Sequence, residues 1–164
     1  MRPIRLLLPV LAIAAGALVL AVGLGVPPVT GPPTGTQVVV SDQQGATLGT
    51  VGVSVADTPT ERYMGLSNTD PLGPDEGMWF VFDREGDRAF VMRGMAYPLD
   101  IVFVGADGRV TAIHHAPVPD GGPLNRYEGR AKWVLEVPEG WTTDHGVAVG
   151  DRVAVANQTS VQAK

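Results

Sequence analysis

Two carboxylates stand where acids are uncommon. Asp100 interrupts the apolar run Pro98 to Val104 (PLDIVFV), and Glu136 interrupts Trp133 to Val137 (WVLEV). An acid in a strand covered on both sides needs a partner. One reading pairs the two as general acid and base of a carbohydrate-active hydrolase, which requires both carboxyl groups to face one cleft about 5–10 Å apart. The other reading of Asp100 is structural: it accepts backbone N–H bonds or pairs with Arg62, Arg93 or Arg130. The structural reading is the favoured one.

A second set of residues could handle soft metal. Met78, Met92 and Met95, with His114, His115 and His145, are donor types that suit Cu(I). His114 and His115 are adjacent on a predicted strand and so point to opposite faces, which prevents both from holding one ion without a bulge. Methionines in such a pattern are more often core filler, so no metal or cofactor is assigned. An aromatic platform from Trp79, Trp133, Trp141, Tyr97 and Tyr127 is the third possibility. Trp133 alternates with Leu135 and Val137 as core, while Trp79 alternates away from Met78 and Phe80 and is the better candidate for an exposed ring. There is no cysteine, no Gly-rich phosphate loop, no nucleophile elbow and no His-Glu-x-x-His.

If the chain binds a ligand, the expected groove lies near Met92, Arg93, Asp100, Tyr127 and Glu136. In it Arg93 would orient an anionic or hydroxylated ligand, Asp100 would accept hydrogen bonds and Tyr127 would cover the site.

Strands joined by tight turns must position these groups. Twenty-one Gly and 14 Pro punctuate short Val-rich runs. Strands are predicted at 36–41, 47–56, 77–82, 88–93, 98–104, 109–116, 131–137 and 151–156, with Asp83 to Asp87 as a turn between the third and fourth. Thr58-Pro59-Thr60-Glu61 is a capping box with Pro at the first helical position, and Gly65 is a helix stop; together they predict one short helix over 59–64. Gly150-Asp151 and Asp107-Gly108 read as turns. Pro117 to Gly129 is the longest loop. Asn157-Gln158-Thr159 matches a glycosylation pattern that is common by chance.

The N-terminus reads differently. Arg2 and Arg5 precede Leu6 to Val26, a stretch without charge. As a helix it would span ~31 Å at ~1.5 Å per residue, close to the hydrocarbon thickness. The run exceeds the usual signal core, so residues 1–26 are expected to be a transmembrane anchor, with a cleaved signal peptide as the alternative. The arginines place that end in the cytoplasm and the domain outside. Residues 27–35 are a Pro/Gly linker, 36–157 the domain and 158–164 a loose tail. Beyond residue 26 the chain has 10 basic against 17 acidic residues and no basic run, which argues against nucleic acid as a partner. The expected partner is the lipid bilayer, through residues 6–26.

One resemblance spans most of this. Thr58, Glu61, Arg62, Gly65 and Leu66 are followed by Gly77, Met78, Phe80 and Phe82. Phe90, Met92, Pro98, Leu99, Asp100, Ile101, Phe103, Asp107 and Gly108 come next, then Tyr127, Leu135, Glu136, Gly146, Gly150 and Asp151. In order and spacing these resemble the domain-of-unknown-function family number 192. Two departures stand out: Val91-Met92-Arg93-Gly94-Met95 replaces the Trp-Met-Lys-Asn-Thr of many relatives, and the loop at 117–129 lacks the cysteines some relatives carry. The resemblance implies an all-β domain, a single β-sandwich of jelly-roll type with one short helix, exported or anchored, and brings no agreed activity. The expectation is therefore a membrane-anchored ligand-binding or structural module rather than an enzyme, with the hydrolase and the copper-handling protein as alternatives.

Overall fold

The computed structural model describes residues 35–156. The expected anchor, most of the linker, the tail and the glycosylation pattern lie outside the described residues. No helix among the described residues is long and apolar enough to cross a membrane.

The chain runs β1 (Thr36–Ser41), β2 (Thr47–Ala56), α1 (Pro59–Met64), β3 (Glu76–Phe90), β4 (Leu99–Val104), β5 (Val110–Ala116), β6 (Tyr127–Pro138), α2 (Trp141–Asp144) and β7 (Arg152–Val155). The fold is all-β, but its strands form one sheet of order β5-β4-β6-β3-β2-β1-β7 in place of the two packed sheets of a jelly roll. That sheet curls into a half-barrel. Its two edges are laced together where Arg109 bridges to Arg152 and the Val153 N–H donates to the Gly108 carbonyl at 2.8 Å. A curled sheet satisfies the backbone groups that two open sheets would leave on their edges.

The predicted turn at 83–87 is absent. β3 is a single long strand against β6 whose register shifts between Val81 and Gly86. The irregularity bends the ladder rather than reversing the chain. All ladders are antiparallel except β2–β3, which is parallel. A parallel pair needs a crossover, and α1 supplies part of it. Thr58 and Glu61 form the capping box, and the Gly65 N–H donates to the Glu61 carbonyl at 2.7 Å.

Each sheet face has its own core. All seven strands send residues to one cluster, which includes Val38, Val51, Trp79, Val104, Val110, Leu135 and Val153. Only the concave face can gather side chains from both edges and the middle, so this is the barrel interior. Trp79 belongs to it and is 3% exposed, contrary to the expected exposed ring. Its face is the enclosed one, and the ring stacks on Trp133 at 6.1 Å between centroids. The second cluster lies on the convex face of β3, β4, β5 and β6 and includes Phe80, Met92, Leu99, Ile101, Phe103 and Val134. Leu66, just beyond α1, and the segment carrying Met92, Met95 and Tyr97 cover it. One close approach holds the strands around Glu136. A Cβ on Gly77 would stand 2.6 Å from the Glu136 carbonyl oxygen, so only glycine fits there.

Candidate functional site

The strand register decides what the two carboxylates can do together. Glu136 pairs with Ile101 of β4 and Met78 of β3, while Asp100 pairs with Val137 of β6 and His115 of β5. Successive residues of a strand face opposite ways. Glu136 therefore faces the convex side with Ile101, and Asp100 faces the concave side with Val137. They do not share a cleft, and the hydrolase geometry that needs both on one side is not met.

Asp100 is fully buried and fully occupied. Its Oδ2 accepts from the Thr142 backbone N–H at 2.9 Å and the Thr142 hydroxyl at 2.6 Å. Its Oδ1 lies 2.6 Å from His115 Nδ1, which donates to it. None of the three candidate arginines is its partner. Arg62 donates to the Val81 carbonyl at 2.8 Å, Arg93 to the Tyr63 carbonyl at 2.5 Å, and Arg130 to Glu85 at 2.6 Å. The acid instead fastens the first turn of α2 to the sheet, where an anion complements free helix N–H groups. Trp141, beside Thr142, is thereby seated in the concave core, and its Nε1–H reaches Asp75 at 3.2 Å.

Glu136 is in a different position. It is 7% exposed and lines a cleft of about 530 Å³ on the convex face. Burial pushes its carboxyl up to about 8, so it is largely protonated at neutral pH. No hydrogen bond or ion pair joins it to any other described residue, yet neither oxygen is sealed from the cleft. It is a neutral acid with donor and acceptor to offer.

Around Glu136 of β6 the walls come from α1, β3, β4 and the segment joining β3 to β4. Phe80, Phe82 and Phe90 of β3, Met92 and Met95 of the segment between β3 and β4, and Leu99 of β4 make the apolar floor. Arg62 and Tyr63 of α1, with Arg88 and Arg93, make the rim. Short bonds fasten the segment after α1 to the segment after β3 beside the rim. The Ser67 hydroxyl donates to the Arg93 carbonyl at 2.7 Å, the Asn68 N–H to the Gly94 carbonyl at 3.1 Å, and Thr69 Oγ1 lies 2.7 Å from Tyr97 Oη. Such a cleft is preformed and of the size that holds small ligands.

Of the five expected groove residues, Met92, Arg93 and Glu136 line this cleft. Tyr127 lines an adjoining hollow with Met92 and the 117–125 loop, and Asp100 lies on the other face. In the sequence Arg62 stands out as a motif residue and as a possible partner of Asp100, not as a cleft residue, and Arg88 carries no functional signal.

The soft-metal donors scatter. Met78, Met92 and Met95 all pack in or against the convex core. His114 is bonded to the Glu128 carbonyl, His115 to Asp100 and His145 to the Trp141 carbonyl. Among the described residues no group of three or more His, Cys, Asp or Glu gathers to hold a metal.

The profile of the family of uncharacterised domains DUF192 (described as an uncharacterized ACR) matches residues 39–155. The chain belongs to this family. No curated protein matches the chain. Among solved structures it resembles a candidate transcription regulator from Sinorhizobium meliloti 1021, with 29% identity and a TM-score of 0.66. The match covers 73% of this chain and 92% of that one. It also resembles a protein of unknown function from Novosphingobium aromaticivorans DSM 12444, with 33% identity and a TM-score of 0.64 over 72% and 83% of the two chains. The matched region makes up nearly all of the Sinorhizobium chain, so the fold stands there with little else attached.

The DUF192 motif residues now have physical roles in this chain. Thr58, Glu61 and Gly65 cap α1, Gly77 permits strand approach and Asp100 holds α2. Gly150, at φ 95°, and Asp151, which accepts from the Ala148 N–H at 2.8 Å, shape the turn before β7. Glu136 is the motif acid for which none of these structural tasks accounts.

Proposed function

We propose that this DUF192 domain is a small-ligand binding module, presented outside the cytoplasm on an anchor formed by residues 6–26. The observation that carries the binding reading is Glu136: a buried, protonated, unpartnered acid open to a preformed cleft. Both of its oxygens open on the cleft with no protein group bonded to them, so a ligand acceptor can take the hydrogen bond that the acid has to offer. The structural alternative gives no account of why an acid occupies that position. The net charge of −5 favours a small ligand over nucleic acid. The anchoring half of the proposal rests on the charge-free run at 6–26 and the arginines before it.

The test uses residues 35–156, which include the whole matched region. Melting temperature is measured against a panel of small molecules, because specific binding to the folded state raises it. The expected result is a shift with one chemical class that Glu136→Leu abolishes and Trp133→Phe, on the opposite face, preserves. A shift that survives Glu136→Leu would place the ligand elsewhere.

A further inference from the structure

The rim supplies chemistry that the floor lacks. Arg62, Arg88 and Arg93 stand around one opening, and among the described residues no carboxylate lies within 4.0 Å of any of them, whereas Arg109 and Arg126 each have one and Arg130 has two. Asp87 also lines the rim, but its carboxylate approaches Arg130, at 3.9 Å. What fixes the three guanidiniums is backbone and aromatic rings. Arg62 donates through one terminal nitrogen to the Asp57 and Val81 carbonyls and lies 5.1 Å from the Phe82 ring centroid. Arg88 lies 4.0 Å from the same centroid and donates to the Arg84 and Ala131 carbonyls at 2.6 and 3.4 Å. Arg93 lies 4.0 Å from the centroid of Tyr63 and donates to its carbonyl.

These contacts hold each guanidinium in place while leaving part of its donor fork unused. Arg62 and Arg93 each engage a single terminal nitrogen, and Arg88 keeps one terminal nitrogen uncommitted. Positioned guanidiniums without a carboxylate are the usual recognition elements for a carboxylate or phosphate. Below them the surface turns apolar within one side chain, at Phe80, Phe90, Leu99, Met92 and Met95.

Building on the ligand-binding reading above, we propose that the cleft takes an amphipathic anion: one carboxylate or phosphate head on the arginine rim, with an apolar chain along the floor toward Glu136. A hydrogen-bond acceptor on that chain meets the Glu136 acid, so an oxygenated chain binds better than a plain alkyl one. A carboxylate at the deep end is disfavoured, because it would have to lose its water in an apolar site.

The experiment is calorimetric titration of residues 35–156 with decanoate, decyl phosphate, decanol, acetate and inorganic phosphate, each below its aggregation concentration. Decanoate or decyl phosphate is expected to bind at least tenfold more tightly than the other three, and the preference between them identifies the head group. Arg88→Gln and Arg93→Gln should each weaken that binding about tenfold, the loss of one charge-assisted hydrogen bond, and leave decanol unchanged. Decanol binding as tightly as decanoate, and lost in Glu136→Leu, overturns the anion inference while the cleft remains a binding site. Acetate or phosphate binding as tightly as the chained anions overturns the role of the floor. Absence of all binding to a cooperatively folded domain overturns the inference, as do arginine variants that bind decanoate like wild type.

Discussion

Replacing Glu136 by glutamine changes one proton and little else, which makes it a direct probe of the buried acid. Its carboxyl is raised from 4.5 to about 8 by burial. Between those values the folded chain keeps a proton that the unfolded chain has released, so stability falls as pH rises across that window. At about 1.4 kcal/mol per pH unit the loss reaches about 5 kcal/mol by pH 8, with no further change above it and none below 4.5. Glutamine has nearly the same shape and no proton to lose. Urea unfolding of residues 35–156, followed by tryptophan fluorescence between pH 4 and 9, should show the variant and wild type close together at pH 4. The variant should gain steadily and be about 5 kcal/mol ahead at pH 9. Glu61 and Glu85 have carboxyls lowered by backbone hydrogen bonds, from Thr58 and Ala106 respectively, and so push the other way. They are present in both proteins and cancel in the difference. A difference that stays constant from pH 4.5 to 8 would refute the reasoning, since it would mean Glu136 is already ionised in the folded chain.

Other outcomes follow from the same geometry. Asp100→Ala strands the Thr142 N–H and hydroxyl and removes the partner of His115, so a loss of about 3–5 kcal/mol is expected in urea unfolding, with altered near-ultraviolet dichroism from Trp141. Gly77→Ala drives a Cβ to 2.6 Å from the Glu136 carbonyl, a clash with backbone that should cost about 3 kcal/mol or more in the same assay. Thr58→Ala removes the α1 cap and should cost about 1 kcal/mol, with a measurable loss of ligand affinity if α1 forms one wall of the occupied cleft. Protease shaving of intact cells should digest the domain if residues 6–26 anchor it outside; complete protection until lysis would count against that placement.

Local structure was legible wherever a short-range rule decides it. The covered strand expected at 98–104 runs from Leu99 to Val104, and the capping box at Thr58 and Glu61 and the helix stop at Gly65 stand where their residues place them. So did the opposite facing of His114 and His115, which follows from a period of two. What could not be read was anything depending on which strands are neighbours. Asp100 and Glu136 lie on adjacent strands, but whether they share a face turns on a single step of register. Asp83 to Asp87 has turn composition, yet it bends a continuous strand because β6 continues alongside it. Trp79 keeps the alternation its neighbours predict but faces the enclosed side, since composition does not reveal which face of a curled sheet is the enclosed one. Arg88 shares the alternation of Phe90, but nothing in the sequence says that this face of β3 lines a cleft.

The position of β1 has a consequence for biogenesis. The first strand of the domain lies between β2 and β7, and Val38 pairs with Val155, almost the full length of the domain away. A chain emerging end first, from a ribosome or through a membrane pore, therefore cannot complete its sheet until the last strand has cleared the exit. Up to that moment the Val-rich edge of β1 is exposed, and closing so long a loop is slow. Truncation before Arg152 would leave that edge permanently open to pairing with another chain.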